Sequence, residues 1–153
     1  MNPPERVFLD TNVYIFGVAD ADSPEWTILQ WAGYGQDERG PAEIVVSDEL
    51  FTQILRVAKR IRGKDWGGQL LGRIWRDMRL RYVLLDEEKY RMLEESGEIP
   101  REDVGVYLTA RAGQAQYFVS SNRELVSILA AKTGEFECLT ADEFVQKYIG
   151  ENP

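Results

Sequence analysis

Short apolar runs alternate with stretches of helical periodicity along the whole chain. Five runs have the length and composition of strands: residues 7–10, 44–47, 82–85, 117–120 and 136–139. Between them the helix signals are local and specific. Ser23 followed by Pro24 reads as a cap and a first-turn proline, opening a helix through Trp26, Ile28, Leu29 and Trp31. Residues 33–41 read as a loop. Ser47 caps a helix that places Leu50, Phe51, Ile54, Leu55 and Ala58 on one face and ends near Gly63, and a further helix spans 66–78. Residues 86–95 are expected to be helical and 97–100 to turn. Glu102 and Asp103 then open a helix that stops at Gly113. Ser121-x-x-Glu124 and Thr140-x-x-Glu143 have the capping-box spacing. Strands alternating with helices in this way predict βαβ units, that is, an α/β fold with a parallel sheet flanked by helices.

Composition narrows the chemistry. The 153 residues, 44% of them hydrophobic, fit one domain over 1–153 with a sizeable core. No 18-residue apolar run is present, so the expectation is a soluble, cytoplasmic protein without membrane contact. Cys138 is the lone cysteine and falls in a strand, where it reads as a small buried hydrophobe. With no histidine in the chain, imidazole catalysis and histidine-ligated zinc are excluded. Chemistry must run on carboxylates, amides and hydroxyls, and such oxygen donors suit hard divalent cations such as Mg²⁺ or Mn²⁺.

The most informative segment is the first strand, which ends in Asp10-Thr11-Asn12. In parallel α/β sheets ligands bind outside the carboxyl ends of the strands, so these oxygens face the crevice, and Asp10 is a candidate metal ligand. The competing role for Asp10 is to cap the helix that follows.

The order of motifs resembles the PIN domain, the nuclease-like family that includes VapC-type toxins. Leu9-Asp10-Thr11-Asn12 resembles its first acidic motif. Asp103, opening a helix through Val106, Leu108 and Ala110, resembles the middle one, and residues 117–125 resemble the strand followed by Thr/Ser-x-Asp. The resemblance covers nearly the whole chain. It implies a three-layer α/β/α sandwich around a mainly parallel sheet of about five strands, and a metal-dependent endoribonuclease acting on single-stranded RNA. Three or four carboxylates would hold one or two Mg²⁺ or Mn²⁺ ions. Asp10 and Asp103 would be the anchoring ligands, with Thr11, Asn12 and Ser120 orienting them or binding metal-bound water. The resemblance further implies a homodimer and, for a toxin, an antitoxin partner.

Two positions depart from the family pattern. Gln53 stands where the family has Glu, and Asn122 where it has the third Asp. An amide offers a carbonyl oxygen but no charge, and a lost charge about 4 Å away is worth up to roughly 4 kcal/mol, on the order of a thousandfold in affinity. Two such losses put metal binding in doubt. Glu49 precedes Gln53 by one helical turn, Glu102 adjoins Asp103, and Glu124 matches a further acidic family position, so replacement carboxylates exist. Each is also a first-turn acid that complements a helix dipole, and Glu124 doubles as a capping-box residue.

Charge supplies a separate clue. The chain carries −8 overall, yet residues 56–81 hold nine basic against two acidic residues, so +7, leaving −15 elsewhere. Arg56, Lys59 and Arg60 share one helical face and Arg73 and Arg76 another, a pattern suited to an RNA backbone or to a solvated surface. Trp66 and Trp75 lie in the same segment and would stack bases if exposed, whereas Trp26 and Trp31 suit packing or partner docking.

Three functions follow from different classes. The first is the metal-dependent endoribonuclease, using Asp10 and Asp103 with help from Asn122, Glu124 and Glu49 or Gln53. The second is a catalytically degenerate PIN-like module that binds RNA or a protein partner without cleavage. The third is a phosphotransfer or hydrolase domain with Asp10 as nucleophile, disfavoured because the acid common two residues later is here Asn12.

Overall fold

The computed structural model describes residues 3–150; the ends of the expected 1–153 span lie outside them. Five parallel strands form one sheet in the order β3-β2-β1-β4-β5: β1 (Arg6–Leu9), β2 (Glu43–Val46), β3 (Leu80–Tyr82), β4 (Tyr117–Ser120) and β5 (Glu137–Thr140). Strand β1 is central, with Phe8 opposite Val45 of β2 on one side and Phe118 of β4 on the other. The near-continuous apolar sequences of β1, β2 and β4 are those of strands covered on both faces, and Val7, Phe8, Leu9, Ile44, Val45, Val46, Phe118 and Val119 are all buried.

Alternate residues meet different helices. Phe118 stacks between Phe8 and Phe136, and Phe136 meets Tyr107 of α6 (Val104–Ala112). The neighbouring residue Tyr117 instead meets Phe144 of α8 (Ala141–Phe144), against which Trp31 of α2 (Pro24–Trp31) packs. Helices therefore cover both faces in a three-layer α/β/α sandwich. At the end of α6, Gly113 approaches β2 so closely that a Cβ would lie 2.2 Å from a methyl of Val45, which only glycine permits.

The remaining helices are α1 (Thr11–Ala19), α3 (Asp48–Arg62), α4 (Lys64–Asp77), α5 (Glu87–Ser96) and α7 (Arg123–Lys132); a 3₁₀ turn covers Arg101–Asp103 and a π-helical turn Val145–Ile149. Side chains of Ser23, Ser47 and Asp86 cap α2, α3 and α5, and Thr140 with Glu143 completes a reciprocal capping box. Helices α3 and α4 form an antiparallel hairpin. No described helix is long and apolar enough to cross a membrane.

The sequence reading needs four local corrections. Strand β3 ends at Tyr82 instead of running through 82–85, because β2 turns into the Ser47 cap after Val46 and offers no further partner. Leu84 is consequently 80% exposed. Asn122, not Ser121, caps α7, while the Ser121 hydroxyl donates to Glu25 at 2.7 Å. Asp103 closes the 3₁₀ turn that leads into α6, so the helix proper begins one residue later. Cys138 is half-buried on edge strand β5, and partial burial pushes its thiol up to about 11.

Candidate metal and nucleic-acid site

The strand order reverses between β1 and β4, and the ends of these two strands carry the polar residues singled out in the sequence. Such a switch point leaves a crevice, because the connections from the two strands depart in opposite directions. Asp10 follows β1 and is buried at 7% exposure. One of its oxygens accepts from the Thr11 N–H at 2.8 Å and the other from the Ser120 hydroxyl at 2.8 Å. Ser120, fully buried at the end of β4, also accepts from the Asn122 N–H at 3.0 Å. Asp10 thus acts as the N-cap of α1 while its carboxylate is fixed across the β1–β4 seam.

Asp103 reaches the same region from the turn before α6. Burial, followed by the negative charges of Asp10 and Glu102, pushes its carboxyl up to about 6. Asp10 is likewise raised, because desolvation outweighs the hydrogen bonds from Ser120 and Thr11. Neither aspartate makes an ion pair among the described residues. One turn along α1, the hydroxyl of fully buried Tyr14 has no hydrogen-bond partner, and burial together with the Asp10 charge disfavours its ionisation.

The remaining candidates divide by location. Thr11 is buried and donates its hydroxyl to the Gln53 carbonyl oxygen, tying α1 to α3, and Asn12 is half-buried beside it. Gln53 and Glu49 line a cleft of about 330 Å³ with Asp48, Arg56, Tyr90, Arg101 and Glu102. Glu49 is exposed, and its Cβ lies near Gly105 in α6, two residues after Asp103. Asn122 uses its side-chain oxygen to accept from the Leu125 N–H at 3.1 Å, and Glu124 is exposed in the first turn of α7.

Among the described residues no three acidic or cysteine side chains converge in a way that could hold a metal ion. The donor set is a pair of aspartates and two amides whose oxygens are already engaged. This pair fits Mg²⁺, which keeps several waters and is commonly held by one or two carboxylates together with substrate phosphates.

The basic segment does not form one surface. Arg56 lines the cleft, and Lys59 and Arg60 project from the exposed side of α3 towards the hairpin tip. Arg73 and Arg76 instead line a polar depression with residues 35–39, at the end of α4 that leads into the start of β3. There the Arg76 guanidinium binds Asp77 at 2.8 Å. Trp66 is half-buried with the Arg62 guanidinium 5.1 Å above its ring, while Trp26 and Trp31 pack on Tyr34 and Phe144. Trp75 alone of the four is exposed, at 50%.

Two site neighbours escaped the sequence reading. Glu25 reaches Ser121 only because the fold brings the start of α2 to the end of β4, and no local pattern signals that. Tyr14 had a signal, since it lies one helical turn after Asp10.

No family model and no curated protein matches this sequence. Solved structures do match. VapBC2 from Rickettsia felis, bound to a DNA fragment from its promoter, is similar at a TM-score of 0.58 and 13% identity, over 88% of this chain and 98% of that one. VapBC-1 from nontypeable Haemophilus influenzae is similar at 0.58 and 11% identity, over 90% and 98%. Mycobacterium tuberculosis VapC20, a toxin that cleaves the sarcin–ricin loop, is similar at 0.55 and 14% identity, over 84% and 97%. At these identities the likeness is one of fold, and it is the fold that the motif resemblance implied.

Proposed function

From the VapC-like PIN fold and its uncompensated aspartate pair, we propose that this protein is a divalent-metal-dependent endoribonuclease acting on single-stranded RNA. The observation that carries the proposal is the approach of Asp10 and Asp103 to one another at the β1–β4 crevice without a cation partner. Two desolvated carboxylates, one of them held neutral more readily by the charge of the other, cost stability unless a positive ligand joins them.

Asp10 and Asp103 are the proposed ligands for Mg²⁺ or Mn²⁺. Such an ion, when bound, supplies an activated water and offsets charge on the scissile phosphate. Ser120 and the Thr11 amide fix the Asp10 carboxylate, and Thr11 holds Gln53 at the cleft wall. Glu49, Gln53, Asn122 and Glu124 are assigned to the margin of the site, where they hold water or phosphate-bound solvent, with Asn12 beside them. Arg56 is the cation best placed for the RNA backbone, and Lys59 and Arg60 extend its field. Arg73 and Arg76 are assigned no part, since Arg76 is committed to Asp77. The VapBC structures of the same fold support a cellular role as a toxin held by an antitoxin; a homodimer is proposed from the motif resemblance alone.

One observation favours a second reading. Gln53 and Asn122 are both engaged in structural hydrogen bonds, as expected of a module that has given up cleavage and kept RNA or protein binding. A single-stranded RNA cleavage assay separates the two. Cleavage that requires Mg²⁺ or Mn²⁺, stops with chelator and is lost in the Asp10→Asn/Asp103→Asn double variant supports the nuclease. No cleavage by the wild type supports the binding module, and metal-independent cleavage overturns both readings.

A further inference from the structure

Beside the cleft, at the open edge of the sheet, three aromatic rings form a continuous surface. Phe51 lies buried in the first turns of α3, Trp75 in the last turn of α4 is 50% exposed, and Tyr82 at the end of β3 is 39% exposed. The Trp75 centroid is 5.5 Å from that of Phe51 and 5.9 Å from that of Tyr82, with the Trp75 and Tyr82 rings stacked at 28°. The other three tryptophans are partly buried against neighbouring side chains, so a tryptophan left half in water on an aromatic base marks an interaction surface.

Two observations say what occupies it. The Tyr82 hydroxyl donates to Asp48, and Asp48 lines the cleft shared by Glu49, Gln53 and Arg56, so the aromatic surface and the cleft are contiguous. The segment that carries Trp75 is also the basic one. Arg56, Lys59, Arg60 and Lys64 make no ion pair among the described residues, so their charge is available to a polyanion.

We propose that Trp75 and Tyr82 form a stacking platform for an unpaired base of an RNA strand whose backbone passes Arg56 into the cleft. This rests on the RNA reading above and adds a positioning element to it. Stacking on an aromatic face is tolerant of base identity but requires the base to be unpaired, so the platform selects single strands over duplexes. Holding one base also fixes which phosphate reaches Asp10 and Asp103.

The test reads binding alone, by fluorescence anisotropy of a labelled oligouridylate in chelator, so that nothing is cut. Trp75→Leu keeps apolar cover without a π-face and is expected to weaken binding roughly tenfold, and Trp75→Phe to restore most of it. Replacing the bases by abasic sites is expected to remove the difference between wild type and Trp75→Leu, and duplex RNA to show none. Unchanged melting temperatures establish that the variants are folded. Equal affinity of wild type and Trp75→Leu for the base-bearing strand overturns the proposal, as does a loss that persists on abasic strands, or no binding by the wild type. A dimer by light scattering that Trp75→Leu dissociates, with RNA affinity unchanged, reassigns the surface to a second copy of the chain. Cleavage is not read, so the two proposals fail separately. Base-dependent binding without nuclease activity defeats the first alone, and cleavage with Trp75-independent binding defeats the second alone.

Discussion

Asp10 and Asp77 are both aspartates at 7% exposure, placed at opposite ends of the strands, and they are treated in opposite ways. Asp77 receives the Arg76 guanidinium at 2.8 Å and the Gly35 N–H at 2.9 Å, and the hydrogen bond from Arg76 holds its carboxyl below the usual carboxylate range. Asp10 receives one amide and one hydroxyl and no cation, burial raises it, and its charge in turn raises Asp103. The first arrangement locks the end of α4 to the loop at residues 33–40. The second leaves negative charge in a crevice unsatisfied. A buried acid that the protein has fully partnered is an anchor, and one it has left electrostatically exposed to a like charge is a candidate for ligand binding.

That contrast can be broken from either side. Asp10→Asn keeps an acceptor for the Thr11 N–H and reverses the contact with Ser120, the amide NH2 donating to the hydroxyl, while it removes a ligand charge. Cleavage assays on it should show a loss on the order of a thousandfold, with the melting temperature unchanged or higher. Asp77→Ala should do the reverse, costing about 2 kcal/mol in denaturant unfolding while leaving cleavage per folded molecule intact. Loss of activity in proportion to folded protein in both variants would erase the distinction.

Smaller changes sharpen it. Gln53→Glu returns a carboxylate to the cleft wall while still accepting from Thr11, so calorimetry should find Mn²⁺ bound about tenfold more tightly. Asp103→Asn removes the half of the repulsive pair that is more open to solvent. It should stabilise the metal-free protein at pH 7.5 by about 1 kcal/mol after allowance for solvent screening. The sign follows from the raised carboxyl. The folded state binds the Asp103 proton more tightly than the unfolded chain does, so wild-type stability is retained below pH 3.8 and lost as pH rises through about 6. The advantage of the variant should therefore vanish near pH 4 and be complete above pH 6. An advantage independent of pH would assign it to packing.

Much of this was legible in the sequence because it is local. Strand β1 with Asp10, the Ser47 cap, the α3 face and the Thr140–Glu143 box are set by residues within a few positions of one another, and the parallel sheet follows from their alternation. Asp10 and Asp103 were separable from other acids only through motif order, and the fold brings them together. What could not be read is long-range. The end of β3 depends on where β2 stops, and the link from Ser121 to Glu25 depends on two connections meeting at the switch point. The basic segment was visible as a run of charge, yet its division between the cleft and the Asp77 anchor is a property of the α3–α4 hairpin. Trp75 and Trp66 look alike in sequence, and only packing decides that one is exposed.

Calorimetric titration of Mg²⁺ and Mn²⁺, with and without a single-stranded RNA carrying 2′-O-methyl groups to prevent cleavage, tests the central claim most directly. A site made by two aspartates and completed by a substrate phosphate predicts saturable metal binding that tightens when the RNA is present and disappears in the Asp10→Asn/Asp103→Asn variant. No saturable binding at millimolar metal in either condition, or binding that survives the double substitution, would contradict it.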